Sequence, residues 1–264
     1  MAVILRINLV GRRRGGKSFF RRHPIVCLLG VVLAMILSGA AWIYLSLPTV
    51  DFLSGSHPQR TAFMDLRMDQ ARNEKKPYRV FQEWRAWEEF PELLRRAVIA
   101  SEDAAFYSHE GIDFHELRES LKKNLQSGKK ARGGSTITMQ LARNLFLSPR
   151  KTLLRKLREI LVARRLEATL SKRRILHLYL NIVELGRGVF GFPAAARRFF
   201  HRPLAELTPT QLLRLVAVLP KPLRVTPLSE SRYLKWRVRL VADRMVKRGH
   251  LTPEQRARIE NDLH

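Results

Sequence analysis

Residues 97–113, AVIASEDAAFYSHEGID, decide how the rest of this chain is read. They place Glu102, Asp103, His109, Glu110 and Asp113 directly after an apolar helical run, Leu93, Leu94, Ala97 and Val98. Carboxylates beside a buried face are costly unless they are used. Pro91 suits a helix start and Glu92 its positive end, so the pattern predicts a helix that delivers Glu102 near its C-terminus. Gly111 turns the chain, and Asp113 with Glu116 reads as the capping box of the next helix. Taken alone, the stretch equally describes a solvated helix face followed by an ordinary loop histidine.

Downstream, Phe114, Leu117, Leu121 and Leu125 form one apolar stripe. A glycine-rich basic segment follows, residues 128–134, GKKARGG, which is either a surface turn or a mobile flap over an anion. Ser135 is predicted to cap a helix starting at Thr136. On that helix Ile137, Leu141 and Leu145 face inward, while Thr136, Gln140, Arg143 and Asn144 share a polar face. Thr152 starts another, with Leu153, Leu157, Ile160 and Leu161 expected on the buried side. Arg155, Lys156 and Glu159 fall on one face at spacings of four and three, which among helices generally is an exposed ion-pair cluster. Further helices are predicted around Ile175, Leu176, Tyr179 and Leu180, over residues 194–200, and from Thr208-Pro209 to Pro220, with a basic helical pair over residues 229–264. Gly186, Gly188 and Gly191 loosen the backbone between them. The Gly-x-Gly at residues 186–188 lacks the preceding strand a nucleotide loop needs. Upstream, residues 78–84 read as a short strand or extended arm, and residues 48–76 as a polar linker lying along a membrane surface.

The chain's 264 residues carry 49 Lys and Arg against 23 Asp and Glu, a formal charge of +26 that points to anionic partners: nucleic acid, a membrane surface or a lipid diphosphate. The distribution discriminates among them. Residues 1–24 hold seven Lys and Arg and no acid, and residues 25–47 hold no charge at all, a length that crosses a bilayer as a helix. The next positive charge is Arg60, so the positive-inside rule predicts a cytoplasmic N-terminus and an external domain, with Trp42 and Tyr44 at the outer interface. That topology argues against nucleic acid. The only cysteine, Cys27, lies in the span, so no disulfide staples the domain.

The pattern Glu102-Asp103-x-x-Phe106-x-x-His109-x-Gly111-x-Asp113, then GGSTITMQLARN from Gly133, then Arg155-Lys156-x-x-Glu159, then Lys172-x-x-Ile175-Leu176-x-x-Tyr179-Leu180-Asn181, resembles in order the four signature motifs of the peptidoglycan glycosyltransferases of family 51. The resemblance covers residues 79–227. It implies a mainly α, lysozyme-like glycosyltransferase domain preceded by one transmembrane helix, with residues 1–24 a basic cytoplasmic N-terminus, 25–47 the transmembrane helix, 48–76 the juxtamembrane linker and 77–264 the catalytic domain. It also implies an inverting transferase that polymerises lipid II into β-1,4-linked glycan at the outer, periplasmic face of the plasma membrane, releasing polyprenyl diphosphate.

By that resemblance Glu102 is the general base on the acceptor 4-hydroxyl and Glu159 the second catalytic acid, acting directly or through a divalent metal, with magnesium or manganese as candidates. Asp103 and His109 support them. Ser135, Thr136, Gln140, Arg143, Asn144, Arg155 and Lys156 map to the donor and its phosphates, and Lys130 or Arg132 to closure over the diphosphate. The expected partners are lipid II, the lipid-linked strand, the membrane and other cell-wall synthesis proteins. Displacing a diphosphate requires a base and cations and no strong acid, whereas hydrolysis of a glycosidic bond requires a carboxylic acid of raised pKa. The surplus of cations around the motifs favours the first. A muramidase and a non-catalytic wall scaffold are the alternatives. Met139 and His177 depart from residues common in the family, glutamine and glutamate. Ser148-Pro149-Arg150-Lys151 matches Ser-x-x-Lys with no Lys-Thr-Gly following, and the short stretch after the last motif is expected to hold no transpeptidase, the monofunctional pattern.

Overall fold

The computed structural model describes residues 24–127, 134–147 and 152–263. The chain divides into two units, Met1–Ser46 and Leu47–His264. In the first, helix α1 (Pro24–Leu45) carries no charged residue and none of its side chains is buried. Its 22 residues and a mean hydropathy of 2.5 make it the one helix among the described residues long and apolar enough to cross a membrane.

The second unit is mainly helical and begins immediately at Leu47. Leu47, Val50 and Leu53 are buried in its core around a 3₁₀ turn, Asp51–Ser54. Arg165 Nη1 donates to the carbonyls of Leu47 and Pro48 at 3.3 and 3.2 Å, and Arg174 Nε to that of Leu53 at 2.7 Å. Helix α2 (Ala62–Asn73) follows, capped by Thr61, whose Oγ1 accepts from Met64 N at 3.2 Å. Residues 48–76, expected as a linker, are therefore built into the domain. Their few apolar side chains, Met64 and Ala71 among them, give too weak a period to announce a helix.

The extended arm forms β1 (Phe81–Gln82), and the helix delivering Glu102 is α3 (Glu92–Glu102), entered from Pro91. Helix α4 (Phe114–Ser127) is capped by Asp113, whose Oδ1 accepts from Glu116 N at 2.8 Å. Of its expected stripe Phe114 is exposed, and the Leu121 and Leu125 side chains lie outside the description. Next come α5 (Ile137–Phe146), α6 (Leu153–Thr169) and α7 (Lys172–Ile182). Every residue of α7 from Ile175 to Ile182 is buried, and the helix packs chiefly on α5. The glycine-rich stretch is a hairpin, β2 (Glu184–Gly186) and β3 (Val189–Phe190), with β3 paired in parallel to β1 in a sheet of order β1-β3-β2. Gly188 has φ +75°, and a Cβ there would meet the Arg79 carbonyl oxygen at 2.3 Å. Helix α8 (Phe192–Ala195) runs into a π-helical turn, Ala196–Phe200; α9 (Pro209–Ala217) has a Thr208/Gln211 capping box; α10 (Arg232–Lys247) and α11 (Pro253–Asn261) form the closing pair. Helices α9 and α10 both pack on α3.

One face is partly rotated from expectation: Ile160 and Leu161 pack against the core as expected, but the N-terminal leucines do not. On α6, Leu153 and Leu157 are exposed, 92% and 43%, while Glu159, Val162, Ala163 and Leu166 point inward. Those four share a stripe at spacings of three and four, and Glu159 joins the interior because its own helix supplies cations to pair with it. The two departures from the family pattern are packing positions. Met139 is 1% exposed in the core. The His177 ring meets Trp84, Trp87 and Phe90 edge-on. Its Nε2–H donates to the Arg85 carbonyl at 2.8 Å and its Nδ1 accepts from Arg174 at 3.1 Å. Burial pushes the His177 pKa down, helped by the Arg174 charge, so the ring is neutral.

Candidate active site

The last residue of α3 is Glu102, and the chain leaves the helix at Asp103, so the two carboxylates point to different tasks. Both Asp103 oxygens are spent internally: Oδ2 accepts from Ile137 N at 2.9 Å, at the start of α5, and Oδ1 lies 2.9 Å from His109 Nε2. Gly111 N donates to His109 Nδ1 at 3.1 Å, which leaves the ring proton on Nε2 to be given to Asp103. Asp103 and His109 thus lock the end of α3, the Gly111 turn and the positive end of α5 into one corner.

Glu102 accepts hydrogen bonds from two neutral donors, and the Arg237 guanidinium lies 3.7 Å from its Oε1. Ser101 Oγ donates to its Oε1 at 2.9 Å and Gln140 Nε2 to its Oε2 at 3.2 Å. Gln140 is itself aimed by Tyr179, whose hydroxyl donates to the amide oxygen at 3.0 Å. Burial, with the Glu102 charge adding to it, pushes the Tyr179 phenol well above its usual pKa, so it remains a donor and fixes which end of the amide faces Glu102. A carboxylate has about four lone-pair directions, so two such donors leave room for a substrate hydroxyl.

Glu159 is different. It is fully buried, Arg155 Nη1 donates to Oε2 at 3.1 Å and Lys156 Nζ to Oε1 at 3.0 Å. Lys156 also donates to Ser135 Oγ at 3.0 Å. Ser135 is free for that contact because Thr136, one residue later than expected, is the cap of α5: its Oγ1 accepts from Met139 N at 3.1 Å and donates to the Gly111 carbonyl at 2.6 Å.

The cleft of about 750 Å³ at Glu102 is lined also by Asp103, Ser135, Thr136, Gln140 and Arg143. A second hollow of about 380 Å³ shares Gln140, Arg143, Leu219 and Pro220 with it, which makes one groove extending past Asn144 to Phe63 and Arg67 of α2. Arg143 has no carboxylate within ion-pair distance among the described residues, its buried Nε has no partner there, and its guanidinium lies 6.0 Å from the Phe63 ring centre. Arg67, by contrast, is neutralised by Glu184 through two bonds of 2.7 and 2.8 Å. Arg155, Lys156 and Glu159 sit behind Ser135 and do not line the cleft among the described residues. Lys130 and Arg132 lie outside the described residues, as do residues 1–23.

Sequence reasoning missed Phe63, and it missed Arg237, Arg244 and Arg248 of the C-terminal region, which line the Glu102 end of the cleft. A divalent metal fits poorly on Glu159, since both its oxygens already accept from cations, and among the described residues no three His, Cys, Asp or Glu side chains gather as a ligand set.

A carboxylate with spare lone pairs in one cleft with a cation that has no carboxylate partner among the described residues is equipped to activate a hydroxyl against an anionic donor, the work of a transferase. The family model described as transglycosylase matches residues 70–246. Among relatives, the chain is 41% identical over 197 residues to a biosynthetic peptidoglycan transglycosylase of Aromatoleum aromaticum, covering 75% of this chain and 84% of that one. It is 40% identical over 223 residues to one of Nitrosomonas eutropha, covering 84% and 88%, and 37% identical over 221 residues to one of Laribacter hongkongensis, covering 84% and 96%. The chain belongs to the transglycosylase family.

Proposed function

We propose that this chain, a peptidoglycan transglycosylase of cell-wall biosynthesis, polymerises lipid II into β-1,4-linked glycan with inversion at the anomeric carbon. The observation that supports the reading is Glu102, hydrogen-bonded by a serine and an amide with the Arg237 guanidinium 3.7 Å away, in a groove that also holds Arg143, which has no carboxylate within ion-pair distance among the described residues. Glu102 accepts the proton of the acceptor 4-hydroxyl as that oxygen bonds to the donor anomeric carbon. The anomeric carbon–oxygen bond to the diphosphate breaks, and its electron pair leaves with the polyprenyl diphosphate. Arg143 meets the negative charge, and Lys156 and Arg155 supply a positive field from behind Ser135. Glu159 in this account is the counter-ion that arranges those two cations. Both its oxygens already accept from cations, so in this account it orders charge while Glu102 takes the proton.

α1 is the membrane anchor in this reading, with the basic residues before it on the cytoplasmic side and the domain on the outer face where the lipid-linked substrate lies. Supplying purified lipid II and purified glycan separately tests the proposal. Elongated strands from lipid II with intact glycan are expected, and cleavage of glycan without lipid II consumption would replace the transferase by a muramidase.

A further inference from the structure

Arg237, Arg244 and Arg248 are spaced by seven and four and so lie along one side of α10 and its exit. All three reach the turn that presents Glu102. Arg244 Nη1 donates to the carbonyls of Ala100 and Ser101 at 3.3 and 2.9 Å, and Arg248 Nη1 to that of Ala104 at 3.0 Å. Carbonyls at the end of a helix lack partners within it, and cations are favoured there. Arg237 does something else. It is 8% exposed, its Nη2 donates to Ser101 Oγ at 3.1 Å, and the same nitrogen lies 3.7 Å from Glu102 Oε1.

Arginine has no acceptor, so the Ser101 hydroxyl must accept from Arg237 and turn its own proton to Glu102 Oε1. The direction of that bond is thereby fixed. Glu102 is also the only carboxylate within ion-pair distance of Arg237 among the described residues, and the Arg237 Nε is buried without a partner there. A buried guanidinium so thinly satisfied is an expensive latch if holding α10 to α3 were its whole task.

We propose that Arg237 is a positioning residue for Glu102, acting through Ser101 to fix the rotation of its carboxylate. The opposite oxygen is fixed by Tyr179 through Gln140, so donors arriving along two routes from α10 and α7 set the plane in which Glu102 meets the acceptor hydroxyl. The inference rests on the reading of Glu102 as the base.

Lipid II polymerisation by the full chain tests it with Arg237→Ala, Ser101→Ala, the double variant and Glu102→Gln, each with its melting temperature. A hydrogen bond to a charged group corresponds to roughly a 10- to 100-fold effect, so Arg237→Ala is expected to lower kcat by that factor with KM for lipid II within about twofold. Ser101→Ala, nearly isosteric, is expected to lower kcat by the same factor of roughly 10- to 100-fold, and the double variant is no worse than either single variant because both cut one relay. Unchanged kcat per folded molecule in Arg237→Ala, or in Ser101→Ala should the arginine variant not fold, overturns the proposal. So does a double-variant loss equal to the product of the singles. An active Glu102→Gln instead removes the base reading, whatever Arg237 does.

Discussion

Glu102 and Glu159 are both glutamates on helices in the heart of one domain, and their surroundings are opposite. Glu102 receives hydrogen bonds from a serine and an amide, groups that orient it, and its one guanidinium neighbour stands off at 3.7 Å. Glu159 receives a guanidinium and an ammonium directly on its two oxygens, at 3.1 and 3.0 Å, which offset its charge. On the proposed reading that difference assigns the base role to Glu102, which lines the cleft, and the counter-ion role to Glu159, which does not line it among the described residues.

The strongest test of this contrast is Glu102→Gln. The amide keeps volume and can hold the Ser101 contact, so the melting temperature should stay within a degree or two while polymerisation falls by about 10² to 10⁴. Activity within a few-fold of the parent chain would transfer the base role elsewhere. Glu159→Gln should behave in the other sense. Its amide nitrogen would face a cation, which is expected to cost about 1–3 kcal/mol and lower the melting temperature of this domain by roughly 3–10 °C, with turnover falling as Arg155 and Lys156 lose their places. Loss of activity with undiminished stability would restore Glu159 to the chemistry.

The smallest effect sets the pH range in which the contrast can be measured. His177 is held neutral, its pKa depressed by burial, so below the ordinary imidazole value of about 6.5 the unfolded chain takes up a proton that the folded chain refuses. Stability is therefore full above that value and declines as pH falls toward the lower folded pKa, by up to about 1.4 kcal/mol per pH unit. Melting curves between pH 7.5 and about pH 5 should show that slope, and His177→Gln should flatten it. An unchanged slope would place the sensitivity in other groups.

Local signals carried much of this architecture. Pro91 and Glu92 before an apolar run, Asp113 and Thr152 as caps, and the Ile175–Tyr179 stripe all act within a few residues, and the structure repeats them. Ser135 against Thr136 was undecidable locally, since either hydroxyl can cap. The distant Gly111 carbonyl settles it by accepting from Thr136. The α6 face was misread for a related reason: counting leucines assigns Leu153 and Leu157 inward, whereas three charged residues that satisfy one another carry Glu159 into the core. Arg237 and Phe63 were invisible because each reaches the groove from an element far along the chain, and nothing in its own neighbourhood distinguishes it from the other basic or apolar residues around it.

The docked segment that opens the domain has a consequence for how such chains can be cut and recombined. Between Ser46 and Leu47 the two units part, and from Leu47 onward Val50, Leu53 and Met64 are fully committed to the folded interior. A protease acting at that junction would release the domain whole. One acting near residue 76, where the sequence suggests a boundary, would carry away those side chains and α2 with its share of the groove. The same junction is where one anchor could be exchanged for another with the catalytic unit intact, so the modular seam of the molecule lies at the foot of the apolar helix, about thirty residues before the domain boundary near residue 76 that the sequence suggests.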